Sequence, residues 1–393
     1  MQNISLTVRP RRFGALLYIA TALTHIALTG GRVAVSLSAI GAHMPPLTIG
    51  ILISLFALFP MLLALHTGRW IDRVGICLPL FTGAGFAAVG CLVPVFHASI
   101  GALICASSLI GVGFMIYQVA MQNLLGQAKP SRRLHNFSIL AVTQSISAFS
   151  GPILVGSGLD LFGNRMTFGM LALFPAIASF ILLTQYAHLP HLARGTGHER
   201  TTDTRSLLIK PSVRRVLIAN TVLSGAWDTF TFILPLYGVA IGLSSTRIGV
   251  VLSAFALAAF LARLSTPFAR AKLSSWTLLA LAIACAACVF TLYPLVHSLT
   301  QLLTLSFVLG IALGGSQPNV MALLHEEVPP QQIAEAVGLR IALVNLTQFA
   351  IPLGFGVLGN AFGTLPLFWG YAFVLVASGG WRWRPRNSVS ETG

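Results

Sequence analysis

The sequence predicts an all-α membrane protein, with twelve transmembrane helices forming two similar six-helix bundles. Composition, an internal repeat and the placement of charge carry that expectation. Of 393 residues, 55% are hydrophobic and 8% charged, and the mean hydropathy is +0.84. A soluble domain carries roughly 25% charged residues, so this chain cannot present an ordinary wet surface. The repeat is direct. Pro94, His97, Met121, Leu124, Pro130, Phe149, Pro152, Gly156, Phe162 and Gly163 return 200 positions later as Pro294, His297, Met321, Leu324, Pro330, Phe349, Pro352, Gly356, Phe362 and Gly363. Upstream the register is 199, so Ile49-Gly50 becomes Ile248-Gly249 and Ser54-x-Phe56-Ala57-Leu58 becomes Ser253-x-Phe255-Ala256-Leu257. Solenoid repeats have periods of roughly 20–50 residues. A unit this long suits instead a transporter whose two halves are related by an axis along the membrane normal.

The formal net charge of +15 would suit a nucleic-acid binder, but its distribution points elsewhere. Arg9, Arg11 and Arg12 precede helix 1, Arg69 and Arg73 follow helix 2, and Lys129, Arg132 and Arg133 follow helix 4. Arg194, Arg200, Arg205, Lys210, Arg214 and Arg215 fall in the central loop. Arg270 and Lys272 follow helix 8, Arg340 precedes helix 11, and Arg382, Arg384 and Arg386 follow helix 12. All lie on one side of a twelve-helix zigzag, and the opposite loops hold only Arg165 and Arg247. This is the positive-inside asymmetry, which places both termini in the cytoplasm.

A spanning helix needs roughly 20 apolar residues. Twelve runs are read at about 13–40, 47–66, 78–96, 99–125, 137–158, 166–184, 214–240, 246–266, 276–296, 299–323, 338–361 and 365–380. No alternating strand pattern competes with them. Helix 1 follows a charged stretch, as a secretion signal would, but it is too long and lacks a clear small-residue cleavage site, so it is retained. Arg11-Arg12-Phe13 echoes a twin-arginine signal without the rest of that pattern. Helices 4 and 5 carry Gly111, Gly113, Gly151, Gly156 and Gly158, small faces that permit close packing in lipid. Pro94, Pro152, Pro294 and Pro352 fall inside helices 3, 5, 9 and 11 and are expected to kink them. Helix 12 is the shortest. Residues 1–184 form the first bundle, 185–213 a cytoplasmic linker and 214–393 the second bundle; Pro190, Gly195, Gly197 and Pro211 mark the linker as a tether with a short surface helix.

No metal or cofactor is expected. Cys77, Cys91, Cys105, Cys285 and Cys288 lie in or beside apolar segments and read as small apolar contacts. His188, His191 and His198 have no thiol or carboxylate cluster around them and read as solvated.

After helix 2 the chain reads Gly68-Arg69-Trp70-Ile71-Asp72-Arg73-Val74-Gly75. This resembles the Gly-x-x-x-Asp-Arg-x-Gly-Arg-Lys signature of the major facilitator superfamily, at that family's position between helices 2 and 3. With the repeat, the resemblance covers nearly the whole chain. It implies a gate latch holding the halves together on the cytoplasmic side, formed by Gly68, Asp72, Arg73 and Gly75. The two glycines are read as permitting a tight turn. Asp72 could face the positive start of a nearby helix, and Arg73 offers a fork of donors. Ile76 and Cys77 replace the two basic residues of the signature, which weakens the latch. In helix 5, Ser147-x-x-x-Gly151-Pro152 and Gly156 resemble part of the family's antiporter motif, with Ser147 and Val155 where glycines are expected. Helix 11 repeats the proline and glycine as Pro352 and Gly356. Ser107 occupies the place where the family's proton-coupled drug exporters carry an arginine, so that coupling device is missing or has moved.

Ionisable groups at membrane depth are costly, and each is a functional hypothesis by default. Arg263 in helix 8 lies near the cytoplasmic end and can snorkel, so it reads as structural. Arg32 in helix 1 and Asp228 in helix 7 lie deeper. Asp228 is 13 residues from Arg215, which is roughly 20 Å at 1.5 Å per residue. The two differ by about one turn in depth, a gap an arginine can bridge, and helices 1 and 7 are equivalent in the repeat. They are expected to face each other across the pathway. Three roles stay open for them. Asp228 carries a proton that Arg32 helps release; Arg32 anchors an anionic group of the substrate; or the two form a permanent salt bridge.

His25, Tyr117, Gln118, Gln144, Trp227, Tyr237, Asn319, Asn345 and Gln348 are the further cavity candidates, with Gln122, Asn123 and Gln317 on the same inward faces. The resulting expectation is a bacterial inner-membrane secondary transporter, similar to efflux permeases, exchanging a small organic compound for protons by alternating access. The alternative is an importer or exchanger of an organic anion, a carboxylate or siderophore, with Arg32 as anchor. The expected partners are the lipid bilayer, a small-molecule substrate and protons. Nucleic acid is not among them, and a monomer is expected. No nucleophile–base pair or phosphate loop marks an enzyme or an ATP-driven pump.

Overall fold

The computed structural model describes residues 11–97, 99–127, 130–188, 210–329 and 332–379. Among the described residues every regular element is helical. The first bundle holds α1 (Arg11–Gly41), α2 (Pro46–Val74), α3 (Cys77–Phe96) and α4 (Ile100–Gly126). A run from Pro130 to Thr184 follows, broken at Gly163 (φ 74°, ψ 178°) into α5 (130–162) and α6 (164–184). The second bundle holds α7 (Pro211–Ala240), α8 (Ser245–Arg270) and α9 (Ser275–Leu292). Next is α10, made of Leu299–Gly314 and Ser316–Glu327 joined at Gly315, then α11 (Ile333–Phe362) and α12 (Leu365–Gly379). Among the described residues ten helical stretches are long and apolar enough to cross a bilayer, with His135–Thr184 counting as one, and α12 is a shorter apolar helix.

The helix starts follow from local chemistry. Ser99, Ser274 and Ser298 are N-caps whose hydroxyls accept from Ala102, Thr277 and Gln301 N–H, supplying partners to donors that the helix leaves orphaned. Pro46 and Pro211 open α2 and α7, where a missing N–H costs nothing.

One face of the molecule carries the α2–α3, α4–α5, α8–α9 and α10–α11 loops, with Arg69, Arg73, Arg132, Arg133, Arg270 and Lys272. We call it the basic face. The opposite, neutral face carries the α1–α2, α5–α6 and α7–α8 loops. The two bundles meet along two seams, α2 with α11 and α5 with α8. The seams match each other in the repeat register. Ser54 Oγ donates to the Phe349 carbonyl at 2.8 Å, and Ser253 Oγ donates to the Phe149 carbonyl at 2.6 Å. A Cβ on Gly50 would stand 2.3 Å from the Pro352 carbonyl oxygen, and one on Gly249 would stand 2.4 Å from that of Pro152. Only glycine admits so close an approach. These contacts lie in the neutral-face half of the helices, so the bundles are closed on each other there.

Several boundaries depart from the sequence reading. Arg69 and Arg73 lie inside α2, whose helix continues through Val74. Of the latch glycines only Gly75 turns the chain, at φ 83°; Gly68 is helical. Arg340 does not precede helix 11 but sits within it, and α7 starts at Pro211, within the span read as linker. These helices project past the apolar runs by charged turns, which hydropathy does not register. Pro294 does not kink α9. That helix ends at Leu292, and Pro294 lies in the following 3-10 turn, Tyr293–Leu295. Pro94, Pro152 and Pro352 do lie inside helices. Most of the linker (189–209), Arg9, Lys129, Arg194, Arg200, Arg205, His191, His198, Arg382, Arg384 and Arg386 lie outside the described residues.

Candidate functional site

Between the bundles lies a cavity lined by residues of α1, α2, α5, α7, α8 and α11. Its walls are mostly apolar (Val33, Ile53, Leu252, Phe255, Pro152, Pro352), with a few polar groups converging: Thr29, Arg32, Ser36, Trp227, Asp228, Thr231 and Gln348. Of the coupling and cavity candidates read from the sequence, Arg32, Trp227, Asp228 and Gln348 line this cavity, together with Pro152 of the helix 5 motif and its repeat counterpart Pro352.

Arg32 and Asp228 share the cavity without forming a salt bridge. Among the described residues the only ion pair within 4.0 Å is Arg270–Glu326, at 3.1 Å on the basic face. Each member of the central pair turns instead to α11. The Arg32 guanidinium donates a long 3.4 Å hydrogen bond to Gln348 Oε1 and lies 5.8 Å from the centre of the Phe56 ring. Its Nε is buried with no partner. Asp228, 6% exposed, accepts a 2.9 Å hydrogen bond from Thr347 Oγ1. Neighbouring residues of one helix thus hold the two charges apart.

The repeat accounts for much of this geometry. In the first half Thr29 on α1 donates to the Ser147 carbonyl of α5 at 3.1 Å. In the second half the same helix pair is joined by Asp228 and Thr347, which stand 199 and 200 positions later. The sites differ in that a hydroxyl has become a carboxylate. The aromatic floor is also paired. Phe56 lies under Arg32, and Phe255, its counterpart, packs on Trp227 with ring centres 4.5 Å apart. Arg263 also approaches Trp227, with its guanidinium carbon 5.7 Å from the indole centre.

The other cavity candidates lie outside this lining. Gln144 Nε2 donates to Gln118 Oε1 at 2.8 Å, tying α5 to α4, and His25 packs against Phe114 at 4.9 Å with a buried, unpartnered Nδ1. Tyr117 is fully buried beside Thr21 Oγ1, 3.5 Å from its hydroxyl. Tyr237 belongs to the packing of the second bundle: its hydroxyl donates to the Val296 carbonyl at 2.7 Å, and its ring meets Tyr293 and Phe368. Asn319 is buried and donates back to the Gly315 carbonyl at 2.9 Å. Asn345 is half-buried in α11. Gln317 accepts from Arg340, which also donates to Asn220 Oδ1 at 3.4 Å, forming a polar cluster in the basic-face half of the second bundle.

In helix 5, Gly151 gives room to Thr29 and Gly30 of α1, while Pro152 and Gly156 meet α8. Ser147, standing where the motif has glycine, donates to the Ala22 carbonyl at 3.0 Å. At the basic face Asp72 and Arg73 are exposed and have no hydrogen-bond or ion-pair partner among the described residues. No group of three His, Cys, Asp or Glu side chains able to hold a metal occurs among the described residues. Sequence reasoning missed Thr347, Thr29 and Ser36. Thr347 was recoverable, because the 200-residue register lays it on Ser147.

A twelve-helix fold of two repeated bundles around a central, sparsely polar cavity defines a membrane transporter. The family model for the Major Facilitator Superfamily matches residues 17–295 and 259–392, so the chain belongs to that superfamily. An uncharacterized MFS-type transporter of Bacillus subtilis (strain 168), YwoD, is 25% identical over 160 residues, which cover 37% of this chain and 34% of that protein. The match thus spans about a third of the relative's length. Solved structures share the fold. A POT family transporter in complex with a thioalcohol-conjugated peptide has a TM-score of 0.79 at 13% identity, covering 94% of each chain. A mutant of the nucleoside transporter NupG has a TM-score of 0.79 at 16% identity, covering 94% of this chain and 99% of that one. A bacterial homolog of the human lysosomal transporter Spinster, inward-facing and occupied, has a TM-score of 0.77 at 15% identity, covering 95% and 96%.

Proposed function

We propose that this protein exports a small organic compound in exchange for protons, and that the compound presents an anionic group to Arg32. The reading rests chiefly on one observation: Arg32 lines the cavity with a buried Nε that has no partner and no carboxylate within 4.0 Å. Burying an unpaired charge is expensive, and a permanent salt bridge would have relieved it. An incoming anion relieves it too. Asp228, held by Thr347, is the proton site, and the nearby Arg32 cation favours its ionised form, so that the proton it carries can be released to complete the exchange. Trp227 and Phe255 offer flat apolar contact for the rest of the molecule. The partial glycine–proline element of helix 5 favours exchange over import. The basic face is assigned to the cytoplasm of a bacterial inner membrane by the positive-inside rule, and the transporter works as a monomer.

Import or exchange of an organic anion uses the same anchor and is the second reading, favoured by the same vacancy at Arg32. A screen for growth rescue or compound sensitivity in a deletion strain identifies a substrate. Transport is then measured in Asp228→Asn and Arg32→Gln variants at matched expression. The proposal expects both to lose pH-dependent transport, and normal pH-dependent transport in both removes it.

A further inference from the structure

The Gly68–Gly75 element at the basic end of α2 has a twin at the neutral end of α5. Gly68-x-x-x-Asp72-x-x-Gly75 and Gly156-x-x-x-Asp160-x-x-Gly163 share their spacing. The likeness extends to the backbone: Gly75 has φ 83°, ψ −175° and Gly163 has φ 74°, ψ 178°, a conformation that suits glycine and few other residues. In both copies an aspartate sits in the last helical turn, three residues before that glycine.

The two copies differ in engagement. Asp72 is exposed and has no partner among the described residues. Asp160 reaches across to the other bundle, where its two carboxylate oxygens accept the backbone N–H groups of Ser245 at 3.1 Å and Thr246 at 2.8 Å. Those are the first N–H groups of α8, which lack intrahelical acceptors and form the positive end of the helix dipole. Gly156 makes the approach feasible, since a Cβ there would stand 2.4 Å from the Ser245 carbonyl oxygen. Thr246 Oγ1 also donates to the Gly156 carbonyl at 3.4 Å.

The α2–α11 seam is an internal control. The repeat carries the element to Gly356-x-x-x-Asn360-x-x-Gly363, and Gly363 keeps the same backbone at φ 79°, ψ 178°. Here the acid has become an amide, and the position of Ser245 is taken by Pro46, which has no N–H to give. The close approach persists, with a Cβ on Gly356 2.9 Å from the Pro46 carbonyl oxygen. The charge-to-helix contact is therefore a property of one seam only.

We propose that Gly156–Gly163 is a second gate latch, in which the Asp160 carboxylate on the N-terminus of α8 holds the neutral face shut and must release for the cavity to open there. Asp72 and Asp160 are then the same device on opposite faces, engaged in alternation. Nothing in this depends on what the protein carries.

The test places nitroxide labels at Ala42→Cys and Ala240→Cys, in a background with the five native cysteines replaced. Distances across the neutral face are read by pulsed electron spin resonance in nanodiscs. Asp160→Asn removes the charge, and Ser245→Pro removes one donor and copies the start of α2. Each is expected to raise the ratio of long to short distances by roughly two- to fivefold, the typical range of a charge at a helix end, while Asp160→Glu restores part of the short population. Either of the first two variants shifting the ratio in a monodisperse protein supports the latch. Distance distributions matching wild type in every one of the two that remains monodisperse overturn it.

Discussion

Asp228 and Arg32 are held apart by consecutive side chains of α11, and that arrangement sets what single substitutions should do. Thr347→Val removes the hydroxyl that donates to Asp228 at 2.9 Å while keeping the shape. Losing a hydrogen bond to a charged group costs about 1.5–3 kcal/mol, so the protonated carboxyl gains ground. The expected outcome is substrate transport whose pH dependence moves to higher pH, measured as initial rates across a pH series. A dependence identical to wild type would detach Thr347 from coupling. Arg32→Lys keeps the charge but loses the planar fork; a rise in KM of about tenfold or more for an anionic substrate is expected, with a smaller change in kcat. Arg32 and Asp228 were legible in the sequence because charge at membrane depth is rare. Their separation was not, because helix numbering fixes depth but not which neighbour a long side chain chooses. Gln348 and Thr347 won that competition. Tyr237 shows the opposite limit: an inward-facing tyrosine is as readily packing as pathway, and only its bonds to Val296 and His297 separate the two.

Helices carried most of what could be read in advance. The apolar runs gave twelve segments, and the departures have a common cause. At α2, α8 and α11 helical backbone continues into charged turns beyond the bilayer, while at α10 an apolar run hides the junction at Gly315. The seams make a paired prediction. Gly50→Ala and Gly249→Ala each drive a Cβ to within 2.3–2.4 Å of a proline carbonyl oxygen on the other bundle. Overpacking of this kind costs about 1–3 kcal/mol. Both should lower the melting temperature of the neutral-face-closed protein by similar amounts, and both should slow transport. A large effect at one position and none at the other would mean that the two seams do not share the closure. Relief by ligands that favour the other state is expected in both.

For the whole molecule, repetition supplies the scaffold and its exceptions supply the chemistry. Matching prolines, glycines and serines form two equivalent seams, while the changes from Thr29 to Asp228, from Asn360 to Asp160 and from Pro46 to Ser245 give one bundle or one seam a charge the other lacks. The helix architecture followed from composition, repeat and charge asymmetry, while the resemblance to the family was carried by the Gly68–Gly75 motif together with that architecture. The cavity did not, since its lining draws single residues from six helices that only tertiary packing assembles.

The central claim is that Asp228 couples protons to the movement of a compound anchored at Arg32. It is tested most directly in proteoliposomes by comparing substrate counterflow with transport driven by an imposed pH gradient. Asp228→Asn should keep counterflow within about threefold of wild type, because exchange needs no net proton movement, and should lose gradient-driven accumulation. Arg32→Gln should lose both. Gradient-driven accumulation that survives intact in Asp228→Asn would contradict the account.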